Sequence, residues 1–243
     1  AAALDLTPGR TWRPLIDTTV EAQLLYEASN HWAAWRRGTD FYDEGLLIWL
    51  EADVTIRKLS GGKRSLDDFC KAFHGGASGP PRVVTYDVDD VVRALDAVAP
   101  YDWRAFFEQR VKALAPRAPL GGIEQGGWSL AFADSVPTLL KAREAERKDV
   151  NVLFSIGIDV NLEDGTIVDV IPDSPAARSG VGPGMKLVAV DGRQWSKDVL
   201  RDAIRATPAS GAIELLVNNG EFYRTHRIAY RLGERYPRLV RAA

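Results

Sequence analysis

A run from Ser155 to Arg193 constrains the fold of this chain more than any other segment. It reads Ser155-Ile156-Gly157-Ile158, an acidic turn, Ile167-Val168-Asp169-Val170-Ile171-Pro172, Ser174-Pro175-Ala176-Ala177, then Gly180 and Gly184-Met185-Lys186-Leu187-Val188-Ala189-Val190-Asp191-Gly192. Short β-branched runs bounded by Gly, Pro and Asp read as strands. Pro175 suits a first helical position, Gly180 a helix C-terminus and Gly184 a turn. Beyond the run, 197–206 reads as a helix capped by Ser196 and closed before Pro208. Strands over 213–217 and 221–228 are joined around Asn219-Gly220, a hairpin signal. Strands interrupted by two helices at these places predict a small, partly open β-barrel.

At 243 residues the chain is too long for that unit alone and suits two domains. A content of 46% hydrophobic and 26% charged residues fits a globular protein with two cores. The net charge of −2, with dispersed basic residues, gives no footprint for nucleic acid. The single cysteine, Cys70, excludes an intrachain disulfide. The longest purely apolar run, 46–50, falls far short of the ~20 residues that span a bilayer. No signal-peptide pattern opens the chain, which begins Ala1-Ala2-Ala3 as a processed protein or an excised fragment would.

The first ~115 residues read as helical from the 3.6-residue period of their apolar positions. Helices are predicted over 18–28 and 41–59, the latter with Trp49, Ala52, Ile56 and Leu59 on one face and Leu47, Leu50 and Val54 beside it. Ser65 with Asp68 three residues on forms a capping box for a helix carrying Phe69 and Phe73, which stops at Gly75-Gly76. Gly79-Pro80-Pro81 is a loop. Asp87 and Asp102 cap two more helices, the second with Trp103, Phe106, Phe107 and Val111 on its apolar side. The Pro- and Gly-rich stretch 115–122 continues neither element and divides the chain into 1–117 and 118–243. After it, 128–132 reads as a strand and 139–147 as a charged helix. The fold class is α+β.

The Ser155–Arg193 order of strand, short helix and strand resembles a PDZ domain of the bacterial HtrA-like arrangement. That resemblance implies recognition of extended peptides by strand addition, with backbone amides at the start of an edge taking a carboxylate or carbonyl. Ser155, Ile156, Gly157 and Ile158 then occupy the family's Gly-Leu-Gly-Phe loop, with serine replacing the first glycine. Leu200 and Ile204 would wall the groove. Gly157 supplies the backbone freedom such a loop needs. The alternatives are that Gly157 only permits strand twist and that the groove is filled by the protein's own chain.

Three segments of the helical half, Gly9-Arg10-Thr11-Trp12-Arg13-Pro14-Leu15-Ile16-Asp17-Thr18, Trp35-Arg36-Arg37-Gly38-Thr39-Asp40-Phe41-Tyr42-Asp43-Glu44-Gly45-Leu46 and Ser60-Gly61-Gly62-Lys63-Arg64-Ser65-Leu66-Asp67-Asp68-Phe69, resemble the glycyl aminopeptidase family of zinc peptidases. The resemblance implies the helical C-terminal part of a thermolysin-like catalytic domain followed by the PDZ-like domain. Zinc is the cofactor implied for the full-length enzyme, bound by a His-Glu-x-x-His helix. This chain has only His31, His74 and His226, no two within a helical turn, so it is expected to hold no catalytic metal. Tyr42-Asp43-Glu44-Gly45 resembles a Tyr-x-Lys-Gly element with glutamate in the lysine position. In that element the tyrosine donates to the tetrahedral oxyanion, and a phenolic hydroxyl keeps its proton at neutral pH. Tyr42 is thus the candidate catalytic group. Gly45, Arg13 and Trp12 are candidates for contacting substrate, with an ion-pair role as the competing reading of Arg13.

The function expected is that of a C-terminal fragment of a zinc metallo-aminopeptidase, inactive alone, acting on peptides or protein N-termini. The competing reading is a non-catalytic peptide-binding PDZ adaptor, and a third makes the PDZ-like half a rigid brace. The resemblance leans towards a periplasmic or secreted bacterial protein, and it leaves the oligomeric state open.

Overall fold

The computed structural model describes residues 1–28, 32–76, 79–80 and 82–242. In chain order its elements are α1 (Ala2–Leu6), α2 (Leu15–Val20), α3 (Ala22–Tyr26), α4 (Phe41–Leu59), α5 (Leu66–His74), α6 (Val88–Val98), α7 (Trp103–Phe107), α8 (Gly121–Gln125), β1 (Trp128–Ala133), α9 (Thr138–Arg147), β2 (Asp149–Val152), β3 (Ile158–Asn161), β4 (Ile167–Val170), α10 (Pro175–Arg178), β5 (Lys186–Val190), β6 (Arg193–Gln194), α11 (Lys197–Ser210), β7 (Ala212–Asn219), β8 (Phe222–Ala229) and β9 (Tyr236–Arg241). Single 3-10 turns cover Pro8–Thr11 and Ala33–Trp35, and a π-helical turn, Glu108–Lys112, extends α7. The chain is a mixed helix-and-sheet protein. No helix among the described residues is long and apolar enough to cross a membrane.

The helical half is organised around α4. Its inward face is Ile48, Ala52 and Ile56, which pack with Leu15, Phe69, Leu95, Trp103 and Phe106. Leu59, expected on that face, is exposed in the last turn, whereas Trp49 stacks on Phe69. The capping boxes at Ser65 and Asp87 form, and Asp102 accepts from the Ala105 amide. The helix expected over 18–28 is instead broken into α2 and α3. The Thr18 and Thr19 hydroxyls donate back to the carbonyls of Leu15 and Ile16, each at 2.7 Å, and such back-bonding competes with the helical ladder. Within the stretch expected to hold no element, Gly121–Gln125 is helical. It lies so close to α4 that a Cβ on Gly122 would meet the Glu51 backbone, and it buries Ile123, with Leu120 and Ala118, against Leu47 and Leu4. Pro81 and His31 lie outside the described residues.

In the second half, β2–β3–β4 form one antiparallel sheet and β6–β5–β7–β8 another, and β1 pairs with β9 as a separate ribbon. The strands do not close into a barrel: a bridge from Thr166 to Lys186, with backbone hydrogen bonds between 165–167 and 184–187, joins the first two sheets. Between them lies a core of Val150, Val152, Ile156, Ile158, Val160, Leu187, Leu200, Ile204, Ile213 and Leu215, among others. The hairpin loop is Gly220-Glu221 rather than Asn219-Gly220, since Asn219 pairs with Phe222 and the positive φ falls on Gly220. The two halves meet where the Trp35 indole N–H donates to the Val170 carbonyl at 2.8 Å and the Ala34 amide donates to Asp169 at 2.9 Å.

Helix α11 runs through Pro208 instead of stopping before it. Proline removes the amide that would bond to Ile204, but the Thr207 hydroxyl donates to that carbonyl at 2.7 Å and accepts from the Gly233 amide at 3.1 Å. Thr207 is fully buried, so Thr207→Val strips two bonds without opening a cavity. We expect a loss of about 1–3 kcal/mol in urea unfolding.

On the face of the first sheet away from the core, Asn151, Asp159 and Asp169 stand in register. Asp159 is buried; Arg147 reaches one of its oxygens at 3.2 Å and the other has no hydrogen-bond partner. Burial first, then the neighbouring Asp149 carboxylate, push the Asp159 pKa up to about 7. The native state therefore keeps a proton that an unfolded aspartate releases near pH ~4. Stability contributed by this group is complete at the acid end and falls as pH rises from ~4 to about 7. Asp159→Asn should flatten that slope and raise the thermal midpoint at pH 8, measured by scanning calorimetry across the pH range.

Candidate functional site

The first turn of α4 is set by one buried carboxylate. Glu44 accepts from Arg10 at 2.8 Å and from Arg37, all three side chains being almost wholly buried. Arg37 also donates to Asp40 at 3.1 Å and to the Arg13 carbonyl at 2.9 Å, and Arg10 donates to the Leu4 carbonyl. These bonds gather 4–13, 37–40 and the start of α4 around one point. Glutamate in the place of the motif's lysine thus has a local cause, since its partners are two guanidinium groups.

Two residues before Glu44, Tyr42 points away from the cluster and is 68% exposed. The Tyr26 hydroxyl, on α3, lies 3.5 Å from the Tyr42 hydroxyl. Sequence reasoning missed Tyr26; it sits 16 residues away on another helix, and no spacing rule links the two. A Cβ built on Gly45 meets nothing, so the space above that turn is open. Trp12 is exposed. Arg13 is buried and bonded to Glu21 and, more loosely, to the Arg37 carbonyl, an ion-pair member rather than a free cation. Tyr42, Leu46 and Leu50, at helical spacing, form an exposed apolar stripe opposite the buried face of α4, and Ile16, Val20, Leu24 and Tyr26 are exposed on the two preceding helices.

The Ser155–Ile158 segment links β2 to β3. Ser155 is buried and its hydroxyl accepts from the Arg235 amide at 3.0 Å. Ile156 and Ile158 are core residues. Gly157 has φ of +92°, and a Cβ there would strike Ser174 at 2.2 Å, so the position requires glycine. The Ser155 and Gly157 amides both donate to the Val152 carbonyl, at 3.0 and 3.1 Å. Leu200 and Ile204, expected to wall a groove, are 0% exposed and sit in the core, where α11 packs on β7 and β5. They offer no surface to a ligand in this structure.

His74 lies at the end of α5 with its ring edge-on to Phe69 and Phe73, and His226 on β8 bonds the Ser179 carbonyl through Nδ1 at 2.7 Å. Among the described residues no group of three or more His, Cys, Asp or Glu could hold a metal ion.

No family model matches the sequence, and no curated protein matches it. Solved structures do. A crystal structure of an aminopeptidase N family protein from Idiomarina loihiensis superposes over 100% of this chain with a TM-score of 0.63 at 15% identity. The HtrA3 PDZ domain, solved with a phage-derived ligand, aligns at 21% identity over 47% of this chain and 92% of its own, with a TM-score of 0.23. This chain spans 41% of the length of the Idiomarina protein, and what it shares with that protein, along its entire length, is the fold.

Proposed function

We propose that this chain is the C-terminal part of a zinc-dependent aminopeptidase that removes small N-terminal residues such as glycine and alanine. In this reading 1–117 complete a thermolysin-like catalytic domain, and 118–243 form a PDZ-like domain whose first helix clasps α4. The zinc-binding motif belongs to sequence outside this chain. Among the described residues no group of three or more His, Cys, Asp or Glu fits a zinc ion.

The observation that carries the proposal is the outer face of α4. Tyr42, Leu46 and Leu50 present a continuous apolar stripe with a tyrosine hydroxyl at its end, beside further exposed apolar side chains on α2 and α3. Exposed patches of this kind mark surfaces that another body covers. A catalytic part seated there would bring a scissile carbonyl to the Tyr42 hydroxyl, and the open space over Gly45 leaves room for the substrate backbone. Tyr42 then donates to the oxyanion as negative charge develops, and Tyr26 acts as a positioning residue that holds the phenol oxygen. The PDZ-like half, with its core filled by its own strand, serves as a brace.

Losing one oxyanion donor costs about 2.7–4 kcal/mol of barrier. In the longer protein, Tyr42→Phe should lower kcat about 10²–10³-fold with little change in KM. Tyr26→Phe should have a smaller effect on kcat. The 243-residue chain by itself should neither bind stoichiometric zinc nor hydrolyse glycyl or alanyl p-nitroanilide. Turnover by the isolated chain, or full activity in Tyr42→Phe, overturns the proposal.

A further inference from the structure

We propose that the uncharged edge of β1 pairs with a second copy of this chain, joining two β1–β9 ribbons into one antiparallel sheet about a two-fold axis through Leu130. The inference rests on the geometry of 127–133 and 236–242, and it stands whether or not the chain belongs to a peptidase.

A ribbon of two strands is marginally stable by itself in water, and an open strand edge offers N–H and C=O groups to a further strand. β1 pairs with β9 alone. Their register, Trp128 with Arg241 through Ala133 with Tyr236, continues in the bond from the Ala242 amide to the Gly127 carbonyl at 2.9 Å. That bond fixes the parity of the ladder. Gly127, Ser129, Ala131 and Ala133 turn their backbone groups towards β9, so Trp128, Leu130 and Phe132 turn theirs the other way. Among the described residues no backbone group bonds to that outer row. On β9 the outward groups belong to Pro237, Leu239 and Arg241. Proline has no N–H to offer, and Arg238 and Arg241 add charge; both devices keep an edge from pairing. β1 reads Trp-Ser-Leu-Ala-Phe-Ala, with neither charge nor proline. Protection is built into one edge of the ribbon and left out of the other.

The open edge is complementary to itself. Residues opposed across an antiparallel pair share both face and backbone direction, so two copies of one strand oppose residues of equal parity. An axis through Leu130 sets Trp128 of one copy against Phe132 of the other and Leu130 against its own counterpart. Each of these pairs has its N–H and C=O turned outward and exchanges both main-chain bonds. Trp128, Leu130 and Phe132 lie on one face, with Leu239 across from Leu130 on β9. Trp128 is 38% exposed, Phe132 41% and Leu239 51%, and association covers apolar surface that each ribbon leaves open. Arg241 and Arg235 pack over the Trp128 and Phe132 rings at 5.2 and 4.2 Å, which orders both aromatics beforehand. Aromatic side chains directly opposed across a ladder add to its stability. On the other face Ser129 meets Ala131, small against small. A two-fold contact uses one patch twice, and it is the commonest closed arrangement of identical subunits. A partner of different sequence has to bring an uncharged apolar strand of its own, whereas a second copy already carries one.

The test follows the 243-residue chain by sedimentation velocity from ~5 to ~500 µM, the span in which a small interface takes a protein from monomer to dimer. Wild type should make that passage. Leu130→Lys sets two like charges on the axis and should weaken association at least about tenfold, with the circular dichroism spectrum unchanged. Cross-linking reads the register. The native cysteine, Cys70, is exposed and is first replaced by alanine. In that background Ser129→Cys and Ala131→Cys meet between copies at a non-hydrogen-bonded pair, whose Cα separation of about 4.5 Å a disulfide spans. A mixture of the two variants should give a disulfide-linked dimer on mild oxidation, and either variant alone at least about tenfold less. A monomeric wild type throughout the range overturns the proposal, as does a Leu130→Lys variant that associates like wild type. Linking of either cysteine variant alone as readily as the mixture overturns it too. Should Leu130→Lys fail to fold, the cysteine mixture decides the same question. Repeated in the longer protein, the mixture should link again; linking confined to the 243-residue chain means that another part of that protein covers the edge, and overturns the proposal. None of these readouts measures peptidase activity, so their failure leaves the proposed function standing.

Discussion

A single carboxylate, Glu44, holds the helical half in register. Taking an ion from water costs several kcal/mol, and the cost is recovered only when partners are close and their remaining hydrogen bonds are met. Glu44 has two guanidinium partners, and Arg37 spends its other donors on Asp40 and a backbone carbonyl. The consequence is directional. With Glu44 pinned inward, Tyr42 has to face outward, because residues two apart on a helix lie about 200° apart around its axis. A second buried acid two turns along, Glu51, is held by Arg110 from the π-helical turn at 2.5 and 2.8 Å. Two ionic anchors on one helix thus fix both its rotation and its height against the surrounding chain.

The second half uses the same device in a different setting. Glu144, Arg201, Glu234 and Tyr236 form a buried network that joins α9, α11 and the entry to β9. Burial and its bond to Glu234 raise the Tyr236 pKa far above the ordinary phenolic value, so its hydroxyl remains a donor to Glu234. Around this polar seam the core is otherwise aliphatic. Charge fixes which elements meet, and apolar burial supplies most of the stability once they have met.

Where the sequence carried local chemistry it was legible. The bounds of α4 and the caps at Ser65, Asp87, Asp102 and Ser196 follow from side chains acting within a few residues of themselves. What could not be read depends on partners distant in sequence. Leu200 and Ile204 lie on the apolar face of α11, as periodicity indicates, but periodicity does not distinguish a wall of a groove from a wall of a filled core. One contributor to that core, β2, is a four-residue strand with two polar positions, too short to announce itself. Pro208 marks a helix end only while no neighbour supplies the missing bond, and Thr207 does so. Tyr26 meets Tyr42 only because back-bonding by Thr18 and Thr19 breaks the helix before it.

The joint between the halves has an evolutionary consequence. One of its bonds, from the Trp35 indole, ends on a backbone carbonyl, which every residue type provides. Substitution at position 170 leaves that acceptor where it is. Side chains at 170 can therefore be exchanged with that bond kept, whereas the bond from the Ala34 amide depends on the Asp169 carboxylate.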